Sequence, residues 1–331
     1  MIGAGQFEIV FKWPISLAKI FETERSIMRI KWNQAYWMLK GCIILSLLIG
    51  LTGCGTFHRM ATKIGIKVGV APGVSHMIEA IKETKSGRLV EKGLADHLLI
   101  VTGMVEISEG NFRLLGEASF LYCAYGIFME EKEPEFAKEL FDIGKDFGLR
   151  AMKQNRKFRK GLESGKKISE LVDYLDEDYV KHLLWTGLNI GLWIVHNMDK
   201  PEALMGMADA IALVERSIEL DENFYHGAGK MFLGAYYALT PEYLGLGGGP
   251  ANAQKMFNKA RAVEKGNFLL VDVLEARFLC TTNENKARYE ELLSGVVEKE
   301  PTGIKGIRLI NELAKMKARF YLDNKSNYFN Q

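Results

Sequence analysis

Apolar residues recur at helical spacing through most of the chain, and this periodicity restricts the fold more than any other feature of the sequence. The breaks between periodic segments hold prolines, which lack the amide hydrogen that a helix interior needs, or the glycine-rich run from Gly245 to Gly249. Patterns typical of strands are scarce, so the sequence predicts an all-α protein. The predicted helices cover residues 113–130, 135–154, 179–197, 201–220, 223–240, 250–265, 267–281, 284–298 and 304–323.

A small–bulky–small pattern recurs within these helices and predicts that they pack as pairs. Small residues let neighbouring helices approach closely, and the bulky residue fills the groove, as in tetratricopeptide (TPR) repeats. The step from Ala210 to Ala253 is 43 residues, longer than the roughly 34 residues of a TPR unit. We therefore expect a right-handed α-solenoid of TPR-like helix pairs with long connections. The pattern occurs at Ala137, Phe141 and Gly144, at Ala210, Val214 and Ser217, and at Ala253, Phe257 and Ala260.

The segment Leu51–Cys54 has the features of a lipobox. An apolar run at residues 43–49 precedes it, and basic residues stand before that run. The run is too short to span a bilayer, which takes about 20 residues, but it suits the apolar part of a cleavable bacterial signal. We expect cleavage after Gly53 and attachment of a diacylglycerol to Cys54. The alternative is a lone cysteine after an ordinary apolar segment.

The lipobox divides the chain into three predicted parts. Residues 1–53 are an N-terminal extension and lipoprotein signal peptide, in which Met1, Met28 and Met38 are the candidate starts. Residues 54–94 are the lipid anchor and an N-terminal segment, and residues 95–325 are the TPR-like helical domain. The first part holds six of the 43 Lys and Arg residues and three of the 41 Asp and Glu residues, which leaves 37 basic against 38 acidic residues. Such balance argues against a nucleic acid as partner.

The basic run at residues 153–167 and the cysteines that remain after processing are interpreted as structural features. The run is typical of a solvated helix end and loop, with contact to anionic lipid headgroups as the alternative. Cys123 and Cys280 stand among apolar residues at helical spacing. We expect both to be buried free thiols rather than a disulfide.

A candidate ligand crevice is predicted along the helix at residues 180–197. This helix is apolar nearly all round, yet one stripe combines aromatic surface with polar groups, as small-molecule sites do. Aromatic residues on the next first helix would extend the same crevice. The alternative is a set of core aromatic residues with satisfied neighbours. The crevice residues are Trp185, Asn189, Trp193, Tyr225, Phe232 and Tyr236.

Catalytic, metal and cofactor sites are not predicted. His182 and His196 lie four turns apart on one helix, without the spacing of a zinc site. The run from Gly245 to Pro250 lacks the strand before it and the Lys-Ser/Thr after it that a phosphate loop requires, so we interpret it as a helix connector. There is also no serine elbow. We therefore expect a protein that is not an enzyme and has no cofactor.

The closing helix carries one apolar stripe that needs cover, since no further predicted helix follows it. Either the stripe lies back on the preceding helix pair, or it meets its copies in an oligomer. The stripe consists of Leu309, Leu313, Met316 and Phe320.

A series of short motifs together has the order and spacing of one known family, although no single motif is specific. The motifs lie at residues 122–125, 148–151, 184–187, 201, 211–221, 225–228, 233–234, 247–250, 253–260, 268–278 and 309–318. On these residues, the chain from about residue 95 to residue 324 resembles the TatT family, the T-component associated with tripartite ATP-independent periplasmic (TRAP) transporters. The segment Cys280–Thr282 departs from the family, which usually keeps aromatic and aliphatic residues there.

The resemblance implies an all-helical, TPR-like lipoprotein that forms a homotrimer and docks the transporter's solute-binding P-component. It also implies a role in handling an apolar small ligand. The protein would lie in the periplasm of a Gram-negative bacterium, lipid-anchored to the outer or inner membrane. The rival hypothesis is a TPR-like scaffold lipoprotein for cell-envelope assembly.

Lipidation gives the first prediction. Because Cys54 supplies the thiol that takes the lipid, Cys54→Ser should give an unacylated protein that is uncleaved or soluble. Mass spectrometry and membrane fractionation of the wild type and the variant check this. A wild-type protein that carries no lipid and fractionates as soluble would contradict the assignment.

Overall fold

We describe a computed structural model of the chain, which covers residue 65 and residues 69–108, 110–300 and 304–329. These residues form helices joined by turns and loops, and no strand occurs among them. The predicted all-α class is confirmed. The predicted signal segment at residues 1–53, which includes most of the lipobox, and Cys54 lie outside these residues.

The helices follow the predicted positions closely from residue 112 onward. Within the described ranges, no helix is both long and apolar enough to cross a membrane. The helices are α1 (Ala71–Lys82), α2 (Gly87–Ile107), α3 (Phe112–Met129), α4 (Pro134–Met152), α5 (Arg156–Glu163), α6 (Val180–Val195), α7 (Pro201–Leu204), α8 (Met207–Leu220), α9 (Phe224–Leu239), α10 (Pro250–Val263), α11 (Leu270–Leu274), which continues as a π-helix over Glu275–Cys280, α12 (Lys286–Glu298) and α13 (Arg308–Asp323).

Local chemistry explains where several helices begin. Asn111 accepts a hydrogen bond from the Leu114 amide at 3.2 Å, and Asn285 accepts one from the Arg288 amide at 3.1 Å. These caps satisfy amide groups that the first turn leaves without a partner. Proline opens α4 and α10, where its missing amide hydrogen costs nothing.

Helices α1 and α2 were not among the predicted helices. Ser86 caps α2 by accepting a hydrogen bond from the Leu89 amide at 3.2 Å. Ile78 and Leu94 are buried in the same hydrophobic core as residues of α3 and α13. The segment before residue 95 therefore contributes to the helical body that the later helices form.

Close packing between α4 and α6 depends on glycine. A Cβ atom added at Gly148 would lie 1.8 Å from Thr186 Oγ1, and one added at Gly144 would lie 2.6 Å from Asn189 Oδ1. No real carbon atom fits at these distances. Glycine on α4 thus lets its backbone approach the polar side chains of α6.

The last helix returns to the first two, which gives the array a contact that an open solenoid lacks. Gly87 on α2 packs against the Met316 sulfur of α13, since a Cβ atom there would lie 2.8 Å from it. The Gly306 amide donates to Glu83 Oε1 at 2.5 Å. These contacts join the two ends of the helical body and enclose the space between them.

The two thiols are free and buried, as predicted. Burial raises the pKa of Cys123 far above its ordinary value and that of Cys280 to about 11. Neither thiol is therefore ionised to a useful extent at neutral pH. The run from Gly245 to Gly249 connects α9 to α10, and the Gly249 amide donates to Tyr237 O at 2.9 Å.

Candidate functional site: an apolar cavity inside the helical array

A cavity of about 710 Å³ lies at the centre of the helical array. Its volume falls within the range of roughly 300–1,000 Å³ that is common for small-molecule sites. The walls are predominantly apolar and come from elements far apart in the sequence. One residue from each wall is Ile78 of α1, Leu94 of α2, Phe120 of α3, Trp185 of α6, Phe232 of α9, Phe278 of the π-helix and Phe320 of α13.

Four of the predicted crevice residues line this cavity. Trp185 projects from α6, and Tyr225, Phe232 and Tyr236 project from α9. The rings of Trp185 and Tyr225 meet edge to face, with their centroids 4.6 Å apart. The structure thus brings these side chains together, from helices about 40 residues apart, into one aromatic wall.

Asn189 and Trp193 do not belong to this wall. Asn189 Nδ2 donates to Trp185 O at 2.9 Å and to Ser119 O at 3.1 Å, so the side chain ties α6 to α3 instead. Trp193 is half-buried and packs against both hydrophobic clusters of the core. Because α6 is buried on several sides, a stripe on its helical wheel does not identify the side that faces the cavity.

A left-handed turn positions Tyr225. The φ angles of Tyr225, His226 and Gly227 are 45°, 59° and 79°. Residues other than glycine rarely adopt this left-handed region. His226 Nδ1 lies 2.7 Å from Glu264 Oε1, and its ring stacks on Phe268 at 5.0 Å. These contacts hold the turn, and the turn directs Tyr225 into the cavity.

The apolar stripe on the closing helix is covered within the chain. Leu309, Leu313 and Phe320 line the cavity, and Met316 packs against Gly87 of α2. The structure supports the intramolecular alternative for this stripe. The homotrimer stays a prediction, without support from these four residues.

A buried ion cluster forms one polar part of the cavity wall. Lys317 of α13 is 5 % exposed; its Nζ donates to Glu130 Oε1 at 2.6 Å and also to Glu131. The Tyr321 hydroxyl donates to Glu131 Oε1 at 2.6 Å, and His196 Nε2 lies 3.1 Å from Glu130 Oε2. All five residues line the cavity. The cluster was not predicted, although a lysine between Leu313 and Tyr321 on one face of a helix is a signal for it.

Attraction within the cluster outweighs the cost of burial. Burial by itself would raise the pKa of Glu130, but the charge of Lys317 and hydrogen bonds from His196 and Lys317 lower it to about 2. Burial would likewise lower the pKa of Lys317, yet the two carboxylates raise it. The stabilisation from Glu130 is therefore complete above its unfolded pKa, about 4.3, and is lost as the pH falls through about 2.

Exposed apolar side chains form a rim at the mouth of the cavity. The rim residues come from the segments that follow α6 and α9, and they are Met198, Leu204, Met205, Tyr243, Leu244 and Leu246. Met198, Leu204, Leu244 and Leu246 also line the cavity, whereas Met205 and Tyr243 next to them are 81 % and 86 % exposed. Apolar exposure of this extent around an opening is typical of a surface that meets a partner.

The two histidines considered as metal ligands lie in separate environments. His182 is buried beside Phe112 O at 3.0 Å, and burial lowers its pKa to about 4. His196 belongs to the ion cluster. Within the described ranges, no three His, Cys, Asp or Glu residues are arranged to hold a metal. The basic run holds the short helix α5, whose Phe158 is buried.

A mostly apolar cavity with a few polar groups has the composition that is common for small-molecule sites. The family described as TAtT, TRAP transporter T-component, has a model that matches residues 85–329. The chain therefore belongs to this family of transporter accessory components, as its sequence resemblance indicated. No curated protein matches the chain.

Removing the cation of the ion cluster tests its contribution to stability. Lys317→Met leaves two carboxylates without their partner, which typically costs about 3–5 kcal/mol. We expect this loss in the free energy of unfolding at pH 7, measured by urea denaturation. The difference from wild type should narrow as the pH falls, first because the stranded carboxylates of the variant, whose pKa burial raises, take up protons. It should narrow further between about 4.3 and 2, where the wild type loses the stabilisation from Glu130.

The matched control is the triple variant Lys317→Met, Glu130→Gln, Glu131→Gln, which removes all three charges together. We expect it to recover most of the loss. A single variant as stable as the wild type at pH 7 would contradict the role of the cluster.

Proposed function

We propose that this protein is a periplasmic accessory component of a TRAP-type solute uptake system, and that it holds an apolar or amphipathic small molecule in its cavity. The observation that carries the proposal is a cavity of about 710 Å³ with apolar walls, in a chain that belongs to the T-component family. The aromatic wall of Trp185, Tyr225 and Phe232 offers the apolar contact, and the ion cluster offers polar groups. Small-molecule sites combine these two kinds of surface.

The rim residues support a docking site for the P-component, the solute-binding protein of the transporter. Leu244 and Leu246 belong both to the exposed rim and to the cavity lining. A partner seated on the rim would therefore cover the mouth, and a ligand could pass between the proteins without crossing water. We propose this face as the docking site because it alone joins exposed apolar surface to the described cavity.

The lipid anchor, the TPR-like pairing and the homotrimer complete the proposal. Lipidation at Cys54 rests on the lipobox. The pairing is supported by burial of the small residues of the repeated pattern, such as Ala137, Ala210 and Ala260. The homotrimer rests on the family resemblance. Light scattering of a chain without the lipid anchor measures the oligomeric state, and a monomer at tens of micromolar would rule out the trimer.

Filling the cavity tests the binding proposal. Ala235 lines the cavity on α9, so Ala235→Trp places an indole ring in the space that a ligand would occupy. We expect the wild type to bind the apolar fluorescent probe N-phenyl-1-naphthylamine, and the variant to bind it at least about tenfold more weakly. Fluorescence titration measures both affinities.

The control for this variant is Ala251→Trp, which adds the same side chain at an exposed position on α10. It should bind the probe as the wild type does. Circular dichroism must show that all three proteins keep their helical content. Equal binding by the two variants, or no binding by the wild type, would contradict the proposal.

Docking is tested by titrating this protein with the P-component of the TRAP system from the same organism. A charge on the rim should prevent apolar contact, so Tyr243→Asp should weaken the complex at least about tenfold. Tyr174→Asp is the matched control, because Tyr174 is also exposed but lies outside the rim. Calorimetry measures the affinities. Equal weakening of the complex by both variants would place the docking face elsewhere. Separately, outer-membrane assembly genes beside this gene would favour the rival scaffold role.

A further inference from the structure

We propose that the cavity selects a single-chain amphiphile with an anionic head group, and that the guanidinium of Arg277 binds this head group. The inference rests on the proposed function, since it names the class of molecule that the cavity takes. It adds a residue with a specific role, on the π-helix that forms one wall of the cavity.

Three aromatic rings hold the Arg277 guanidinium at the cavity wall. Its central carbon lies 4.7 Å from the ring centroid of Tyr328, 5.5 Å from that of Phe278 and 5.9 Å from that of Tyr321. A cation–π contact uses the charge of the guanidinium and does not occupy its N–H donors. The rings thus restrict the orientation of Arg277 and leave its donors available.

Arg277 differs from the other cations of this region in its partners. Lys317 is bonded to Glu130 and Glu131, and Lys82 to Glu79 at 2.7 Å. The neighbouring Arg261 and Arg288 are paired with carboxylates as well. In contrast, the Arg277 side chain makes no ion pair and no hydrogen bond with any described residue. Among the cations that line the described cavity, it is the one with donors left for a ligand.

The nearby carboxylates do not need Arg277. Glu131 already accepts hydrogen bonds from Lys317 and from the Tyr321 hydroxyl, and Glu130 accepts one from Lys317 while His196 Nε2 lies 3.1 Å away. The alternative is that Arg277 offsets, at longer range, the one negative charge of the Glu130–Glu131 pair that Lys317 leaves unbalanced. This alternative makes a different prediction. A balancing charge affects stability, whereas a head-group site affects which ligands bind.

The rest of the cavity fits an alkyl chain. The walls beyond Arg277 come from apolar side chains such as Leu270, Leu309 and Phe232. They offer few polar partners, so a ligand that is polar along its length would lose its hydration without compensation. Each methylene group buried there should strengthen binding about fourfold. The geometry thus combines one anion site with a long apolar surface.

Competition with N-phenyl-1-naphthylamine tests the inference on the wild-type protein. The competitors share a ten-carbon chain and differ in the head group: decanoate, decyl phosphate, 1-decanol and decylammonium, each below its micellar concentration at pH 7.5. We expect decanoate and decyl phosphate to bind at least about tenfold more tightly than 1-decanol, because hydrogen bonds to a charged group are the strong ones. Decylammonium should bind most weakly. The ratio between the two anions then distinguishes a carboxylate from a phosphate head group.

Substitutions at Arg277 assign this selectivity to one residue. Arg277→Gln should abolish the preference for the anions while leaving 1-decanol binding within about twofold. Arg277→Lys should keep part of the preference, since it keeps the charge but loses the planar fork. Arg319→Gln is the matched control, because Arg319 is exposed on α13 and does not line the cavity; it should leave the binding of all four competitors unchanged.

The outcomes separate the inference from the proposed function. If the probe and all four competitors fail to bind the wild type, the proposed function fails. If all four compete equally, or if Arg277→Gln lowers stability but keeps the preference for anions, the cavity binds ligands and the role given to Arg277 is wrong.

Discussion

The buried ammonium of Lys317 is the contact on which the cavity depends. Its partners, Glu130 and Glu131, directly follow α3. Glu130 lies 187 residues before Lys317 in the chain. A charge so deeply buried is tolerated only when it is paired and hydrogen-bonded. Since the carboxylates meet both conditions only when α13 lies against the end of α3, the cluster fixes where the last helix returns. That return encloses the apolar space between the two ends of the array.

Enclosure in turn explains two unusual local features. The left-handed turn at Tyr225 and His226 costs of order 1–3 kcal/mol for each such residue, and it persists because Glu264 and Phe268 hold His226 in place. The π-helix from Glu275 to Cys280 likewise departs from regular geometry, as helices often do at functional sites. One feature directs Tyr225 into the cavity, and the other presents Arg277 at its wall.

The sequence predicts the helices well and the cavity only partly. Prolines and apolar spacing determine where α4 and α10 begin, and these signals are local. Phe232 and Tyr236 could be assigned to one wall because they share a face of α9, whereas Tyr225 reaches the same wall through a left-handed turn that helical spacing does not predict. Asn189 could not be excluded, since α6 is buried on several sides and its wheel has no unique inner face. The ion cluster and the closure of the array depend on contacts between distant residues, which periodicity does not report.

Hydrogen exchange tests the central claim, that the enclosed cavity is a ligand site, most directly. The backbone amides of residues 228–240 and 270–280 belong to the cavity walls. Residues 251–262 of α10 do not line the cavity, and several of them line a separate open depression instead. When N-phenyl-1-naphthylamine is added, we expect slower exchange in the first two segments and unchanged exchange in the third, because a bound ligand suppresses local opening. Protection confined to the third segment, or no protection while the probe is bound, would contradict the account.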